Sequence, residues 1–170
     1  MKKILILLIA ISASTPLFAA KSDDIKINAK INLPSQIEVS YEGESSKVKT
    51  DNGVSIGIEY STDKSYGFGI EYMIERSHVS VIPVYFFVGA KSGKAGIQGN
   101  VGYNMISISN ASDQKVNGGL YLAGSVFVAL NDDMKIIAEY SVNNGSIDYD
   151  GDSVAIAYPK VSFGLSVNLN

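Results

Sequence analysis

The chain has 170 residues, 46% of them hydrophobic, with 16 Gly, no Cys and no Trp, a size that suits one domain. The absence of Cys excludes disulfides, thiolate metal sites, iron–sulfur clusters, thiol catalysis and lipid attachment through Cys. A formal charge of −3 argues against a nucleic-acid partner, which needs a basic face to displace counterions from phosphates.

Residues 1–20 have the order of a secretory signal peptide. Met1-Lys2-Lys3 is a positive n-region, residues 4–11 are an unbroken apolar run, and Leu17-Phe18-Ala19-Ala20 offers small residues for cleavage after Ala19 or Ala20. The apolar run is too short to cross a bilayer as a helix. Cleavage removes Lys2 and Lys3 and leaves 12 basic against 17 acidic residues, a net charge of −5. The expected mature unit is a single domain, residues 21–170.

That unit alternates apolar and polar residues with period two, the signature of strands with two unlike faces. Ile25, Ile27, Ala29, Ile31 and Leu33 alternate with Lys26, Asn28, Lys30 and Asn32. Val54, Ile56, Ile58 and Tyr60 oppose Ser55, Gly57 and Glu59, and Tyr66, Phe68, Ile70, Tyr72 and Ile74 oppose Gly67, Gly69, Glu71, Met73 and Glu75. A fourth run puts Ile82, Val84, Phe86, Val88 and Ala90 against Pro83, Tyr85, Phe87, Gly89 and Lys91. Ile97, Gly99, Val101, Tyr103 and Met105 follow, against Gly96, Gln98, Asn100, Gly102 and Asn104. The sixth run sets Leu120, Leu122, Gly124, Val126, Val128 and Leu130 against Gly119, Tyr121, Ala123, Ser125, Phe127 and Ala129. Ile136, Ala138, Tyr140 and Val142 then oppose Lys135, Ile137, Glu139 and Ser141. Val161, Phe163, Leu165, Val167 and Leu169 close the chain against Ser162, Gly164, Ser166 and Asn168.

These eight runs share one plan. The first face of every run is free of charge, while the second carries Lys26, Lys30, Lys91, Lys135, Glu59, Glu71, Glu75 and Glu139 and most of the strand glycines. In a soluble sandwich or barrel the apolar face points inward. In a transmembrane barrel it points to lipid and the polar face lines the lumen. Alternation alone does not choose between them. Connections help: Thr62-Asp63-Lys64, Ser92-Gly93-Lys94 and Asn131-Asp132-Asp133 are tight, whereas 34–53, 106–118 and 143–159 read as long links and 76–81 as intermediate. Short turns at one end and long loops at the other are the habit of outer-membrane barrels. Tyr60, Tyr66, Tyr72, Tyr103 and Tyr140 on the apolar face suit the headgroup levels. An eight-stranded lumen is only wide enough to be filled by side chains. The expectation is a plug of Lys26, Lys30, Glu59, Glu71, Glu75, Lys91, Gln98, Lys135 and Glu139, with its charges paired because an isolated buried charge costs several kcal/mol.

Ser162-Phe163-Gly164-Leu165-Ser166-Val167-Asn168-Leu169, with its polar, glycine and two hydrophobic positions at Ser162, Gly164, Val167 and Leu169, resembles the assembly signal that ends small outer-membrane barrels. Tyr66-Gly67-Phe68-Gly69-Ile70-Glu71-Tyr72, Gly99-Asn100-Val101-Gly102-Tyr103 and Gly118-Gly119-Leu120-Tyr121 are similar to strands of the same group. The whole plan resembles the OmpA transmembrane domain, OmpX and the opacity proteins. That resemblance implies an all-β, eight-stranded antiparallel up-and-down transmembrane barrel in the bacterial outer membrane. It also implies contact with outer-membrane lipids and the barrel-assembly machinery, a monomeric state, no cofactor and no enzymatic activity. The chain ends in Asn170 where the family usually carries an aromatic residue.

Chemistry-bearing motifs are sparse. His78, the only His, sits two residues from Ser80, a pair that resembles part of the site of lipid A deacylases, with Glu75 available to orient the His. A solvated loop histidine is the plainer reading. Asp148-Tyr149-Asp150-Gly151-Asp152 clusters oxygen ligands, but Gly stands fourth rather than sixth and Pro159 occupies the twelfth position of a calcium loop. Residues 89–95 depart from a phosphate loop in spacing and in having Ala95 where Ser or Thr would hold magnesium. Asn110-Ala111-Ser112 and Asn144-Gly145-Ser146 are glycosylation-type triplets of no expected use in a bacterium. The reading is thus a non-enzymatic, surface-exposed barrel with possible recognition through its long loops. A soluble periplasmic carrier of lipocalin type and an outer-membrane lipid A hydrolase stand as the alternatives.

Overall fold

The computed structural model describes residues 24–61, 65–75, 79–108, 115–149 and 152–169. The expected signal peptide, His78 and Asp150 lie outside the described residues, as does the Asn110 triplet. Ten strands are present among the described residues: β1 (Asp24–Asn32), β2 (Ser35–Tyr41), β3 (Glu44–Thr50), β4 (Gly53–Ser61), β5 (Tyr66–Glu75), β6 (Val79–Ser92), β7 (Ala95–Ile108), β8 (Lys115–Ala129), β9 (Met134–Tyr149) and β10 (Asp152–Asn168).

Eight of them close on themselves. The sheet order is β1-β4-β5-β6-β7-β8-β9-β10, and β1 pairs again with β10. Every neighbouring pair is antiparallel, so the barrel is of the up-and-down kind. Closure removes the edges that an open sheet would leave unpaired, which is obligatory where no water is available to satisfy backbone groups. The seam aligns Lys26 with Asn168 and Asn32 with Ser162, and the Leu169 amide donates to the Ile25 carbonyl at 2.8 Å. Both described ends therefore lie on the side of the tight turns. One of these turns is held by Asn131, whose Oδ1 accepts from the amides of Asp133 (3.0 Å) and Met134 (2.7 Å).

The register resolves which face goes where. Ile27, Ile31, Ile56, Phe68, Val88, Ile97, Val126, Ile136 and Phe163 stand exposed on the outside, and so do most of their partners on the uncharged face. Their polar alternates, including Asn28, Lys30, Ser55, Glu59, Glu71, Asn100, Glu139, Ser162 and Ser166, are buried inside. A lipocalin-like carrier needs the reverse orientation, so the soluble alternative fails here. An apolar mantle around a polar interior is stable only when lipid covers the mantle. On that mantle Tyr66, Phe68 and Phe86 form an aromatic cluster, with ring centroids 6.3 and 5.4 Å from Phe86.

Two of the expected long links are not loops. The segment 143–159 is almost wholly antiparallel ladder, from Asn143 opposite Tyr158 up to Tyr149 opposite Asp152. With 16 and 17 residues, β9 and β10 exceed the roughly 9–11 residues a strand needs to cross a bilayer, so they project beyond it. Alternation fades there because both faces of the projecting sheet are outside lipid. The segment 34–53 contains the β2–β3 hairpin, turned by Glu42 and Gly43 with φ of 48° and 89°. Positive φ at both central residues is the type I′ geometry that suits the twist of two-residue hairpins. This hairpin docks on β10 through Ser40, Val39 and Glu38, paired with Ala155, Ile156 and Ala157.

Candidate functional site: lumen and projecting sheet

The lumen is filled in three storeys. Nearest the tight turns, Lys26 Nζ donates to Ser61 Oγ at 3.1 Å, and Lys135 Nζ lies 4.8 Å from the centroid of the Phe127 ring. Just above, Glu59 Oε1 accepts from Tyr85 Oη at 3.1 Å and from Gln98 Nε2 at 3.0 Å, and Gln98 also donates to Asn100 Oδ1. The middle storey is an ionic triad. Lys30 Nζ from β1 reaches Glu71 Oε2 from β5 at 2.6 Å and Glu139 Oε1 from β9 at 2.7 Å, with all three side chains almost fully enclosed. Strands adjacent to neither one another nor a common turn supply these three residues, so the triad ties opposite walls of the barrel together.

The upper storey is apolar. Met73, Val79, Val81, Ile106 and Tyr158 form a buried cluster, with Ile37 of the hairpin, Ile108 and Val116 packed against it. The cluster continues down the lumen through Tyr121, Tyr85 and Phe87, whose ring lies 5.9 Å from Lys26 Nζ near the tight turns. Lys160 is buried at the base of the upper storey, with Nζ 3.1 Å from Met73 Sδ and 5.4 Å from the Tyr158 ring centroid. An expected purely polar plug is thus topped by a small hydrophobic core that the hairpin helps to cover.

Lumen glycines seat the bulky side chains of neighbouring strands. A Cβ on Gly69 would stand 2.5 Å from the Tyr85 ring, and one on Gly96 would stand 2.2 Å from the Phe127 ring. Tyr85 can lie flat toward Glu59 only because its cross-strand partner Gly69 has no side chain.

Of the plug residues named from sequence, Lys26, Lys30, Glu59, Glu71, Gln98, Lys135 and Glu139 converge in the lumen. Lys91 instead stands exposed beside the Ser92–Ala95 turn, where its strand has already passed the end of the mantle. The Glu75 side chain lies outside the described residues. Lys160 falls between the expected link 143–159 and the run that opens at Val161, although Tyr158, Lys160, Ser162 and Gly164 continue one inward period. In the closing segment Ser162 Oγ donates to Asn32 Oδ1 at 2.7 Å, and Leu169 is exposed. Gly164 backs onto Lys30, whose Cγ would lie 2.6 Å from a Cβ at this position. Val167 pairs with Ile27 and Met134. Ser80 pairs with Ile74 and Ser107 in the wall of β6. Asp148 accepts from Asn117 Nδ2 at 3.0 Å and Asp152 accepts from Tyr41 Oη at 2.8 Å, so each carboxylate is engaged with the projecting sheet. That hydrogen bond and the carboxylate charge hold the solvent-exposed Tyr41 phenol above the ordinary tyrosine range.

Outside the mantle, β7–β10 continue upward and β2 and β3 extend the sheet sideways in the order β10-β2-β3. A cleft of about 560 Å³ opens at the hairpin's base, lined by Pro34, Ser35, Gln36, Lys49, Thr50 and Pro159. Its floor is tied by the Ser35 hydroxyl donating to the Pro159 carbonyl and the Ser35 amide donating to Thr50 Oγ1 at 3.2 Å.

No family model and no curated protein matches the chain. Solved structures do. The Neisserial surface protein A is 13% identical with a TM-score of 0.62, over 86% of this chain and 99% of that one. A de novo designed transmembrane β-barrel is 11% identical with a TM-score of 0.58, over 88% and 98%. OprG, an outer-membrane protein of Pseudomonas aeruginosa, is 12% identical with a TM-score of 0.50, over 88% and 97%. At such identities the likeness concerns the fold. With its closed sheet, outward mantle and filled lumen, the chain has the fold of the small eight-stranded outer-membrane β-barrels.

Proposed function

We propose that this protein is a non-enzymatic, monomeric barrel of the bacterial outer membrane that serves as a rigid mount for a surface-exposed sheet. The observation that carries the reading is the pairing of a lipid-facing mantle with a lumen shut by the Lys30 triad and the apolar cluster above it. A shut lumen removes a pore function and leaves the projecting β2–β3 hairpin and the tops of β7–β10 as the part that meets other molecules. Surface segments held on a rigid scaffold commonly carry binding. In this reading residues 1–20 are the export signal, and Ser162, Gly164, Val167 and Leu169 are read by the assembly machinery. The tight turns face the periplasm and the projecting sheet faces outward.

Three measurements test it. The protein is expected to stay in the outer membrane after carbonate washing and to shift on a gel when boiled; release with the periplasm overturns the assignment. In planar bilayers it is expected to show no stable ion conductance above background, and steady conductance would overturn the shut lumen. Lipid A is expected to be unchanged in cells that express it.

A further inference from the structure

Every strand of the barrel wall has at least two neighbours, and β2 lies between β10 and β3. Strand β3 alone among the described strands has one neighbour and ends the sheet order. Residues 44–49 are all exposed, and only Thr50 at the root of the strand is buried. The register says which backbone groups are free. Tyr41 faces Glu44 across the two-residue turn, and in such a hairpin this closing pair exchanges hydrogen bonds, with alternate pairs doing the same along the ladder. Glu44, Ser46, Val48 and Thr50 thus direct their amides and carbonyls to β2. Ser45, Lys47 and Lys49 direct theirs away from it, to the open side.

We propose that β3 is a strand-addition site that takes an extended peptide segment of acidic–apolar–acidic pattern. The backbone groups of Ser45, Lys47 and Lys49 supply the ladder. Lys47 and Lys49 lie on one face of β3 and meet acidic side chains of the incoming strand; the exposed Val48 lies on the other face and meets its apolar residue. The motif reads the same in both directions, so recognition does not depend on strand polarity. The same two lysines put like charges opposite one another if a second copy of β3 approaches, which disfavours self-pairing and aggregation through this edge. The hairpin is held along β2 by β10, nearer its root by Ile37 in the apolar cluster and beside its turn by the Tyr41–Asp152 hydrogen bond, so the edge is presented already ordered. Little conformational freedom remains to be lost on binding. This inference rests on the proposed surface exposure of the sheet.

The test uses the refolded full-length protein in neutral detergent micelles, which makes it independent of cellular location. The probe is a fluorescent heptapeptide, Thr-Thr-Glu-Val-Glu-Thr-Thr, followed by anisotropy at two salt concentrations. Binding is expected to weaken about tenfold in Lys47→Gln/Lys49→Gln, through loss of both exposed charge pairs, and to fall with added salt. Ser45→Pro keeps every charge and every bond to β2 but removes one open-side amide, and it is also expected to weaken binding by about tenfold. Unchanged heat-modifiable gel migration and far-UV circular dichroism establish that each variant is folded. Failure of the acidic peptide to bind the parent overturns the proposal. So does full binding by Ser45→Pro, which would mean charge attraction without strand addition. Equal binding of the lysine-for-glutamate peptide would overturn the charge code. None of these outcomes bears on whether the barrel resides in the outer membrane, which fractionation decides separately.

Discussion

Substitution of Lys30 by Met probes the centre of the lumen. Methionine keeps the length of the side chain and its packing over Gly164 while removing the cation that holds Glu71 and Glu139. Two carboxylates from opposite walls would then face one another with almost no solvent access. An exposed ion pair contributes about 0–1 kcal/mol, but stripping one partner from a buried pair costs about 3–5 kcal/mol because the remaining charge is stranded. Here the contacts are 2.6 and 2.7 Å and one ammonium serves two acids, which places the loss at the upper part of that range. Against a typical total stability of about 5–15 kcal/mol, this would move the unfolding midpoint far down the denaturant axis. The assay is equilibrium urea unfolding of the barrel refolded in phospholipid vesicles, followed by circular dichroism and heat-modifiable gel migration, since the chain has no Trp for fluorescence. Lys30→Met/Glu71→Leu/Glu139→Leu is expected to recover most of the stability, because apolar replacement of a whole buried triad is often neutral or stabilising. A Lys30→Met protein within about 1 kcal/mol of the parent would put the triad in the class of exposed pairs and refute the reasoning.

Gly69→Ala drives a methyl to within 2.5 Å of the Tyr85 ring and is expected to cost about 1–3 kcal/mol in the same unfolding assay. Gly99→Ala on the outer face meets nothing within 4 Å and is expected to change stability little; equal effects would show that the seat for Tyr85 is unimportant. Val126→Arg places a charge on the mantle and is expected to destabilise the vesicle-inserted barrel by up to about 2–4 kcal/mol, the cost at the bilayer midplane. A neutral outcome would argue that this surface does not meet lipid. Asp152→Asn removes the charge that holds the Tyr41 phenol protonated, so that phenol is expected to ionise at lower pH than in the parent. The difference is read in near-ultraviolet titrations against Tyr41→Phe controls, and an unchanged titration would dismiss the Tyr41–Asp152 contact.

Much of the barrel was legible because lipid imposes a strict rule on each residue. Wherever a strand crosses the mantle, as in Val161 to Leu169, one side chain must be apolar and the next polar, and a one-residue slip would expose the wrong set. Above the mantle both faces leave lipid and the rule relaxes. The hairpin then carries Ser45, Ser46, Lys47 and Lys49 with little contrast, and the upper parts of β9 and β10 read as loop although they are ladder. Ile37, Val39 and Tyr41 before Glu42-Gly43 were the one local trace of β2. Lys160 escapes for the same reason, since clean alternation in its strand begins only at Val161.

The sequence by itself determined the number of barrel strands, the period-two faces, the end at which the tight turns lie and the acids and bases available for a plug. Those properties are local, written every second residue along a strand. Only the tertiary structure decided that the uncharged face points outward, that Lys30 serves Glu71 and Glu139 together, that an apolar cluster shuts the upper lumen and that β3 is left with an open side. Each of these depends on register between segments far apart in the chain, where closure of the sheet fixes which side chains meet, and no run of residues encodes that alone.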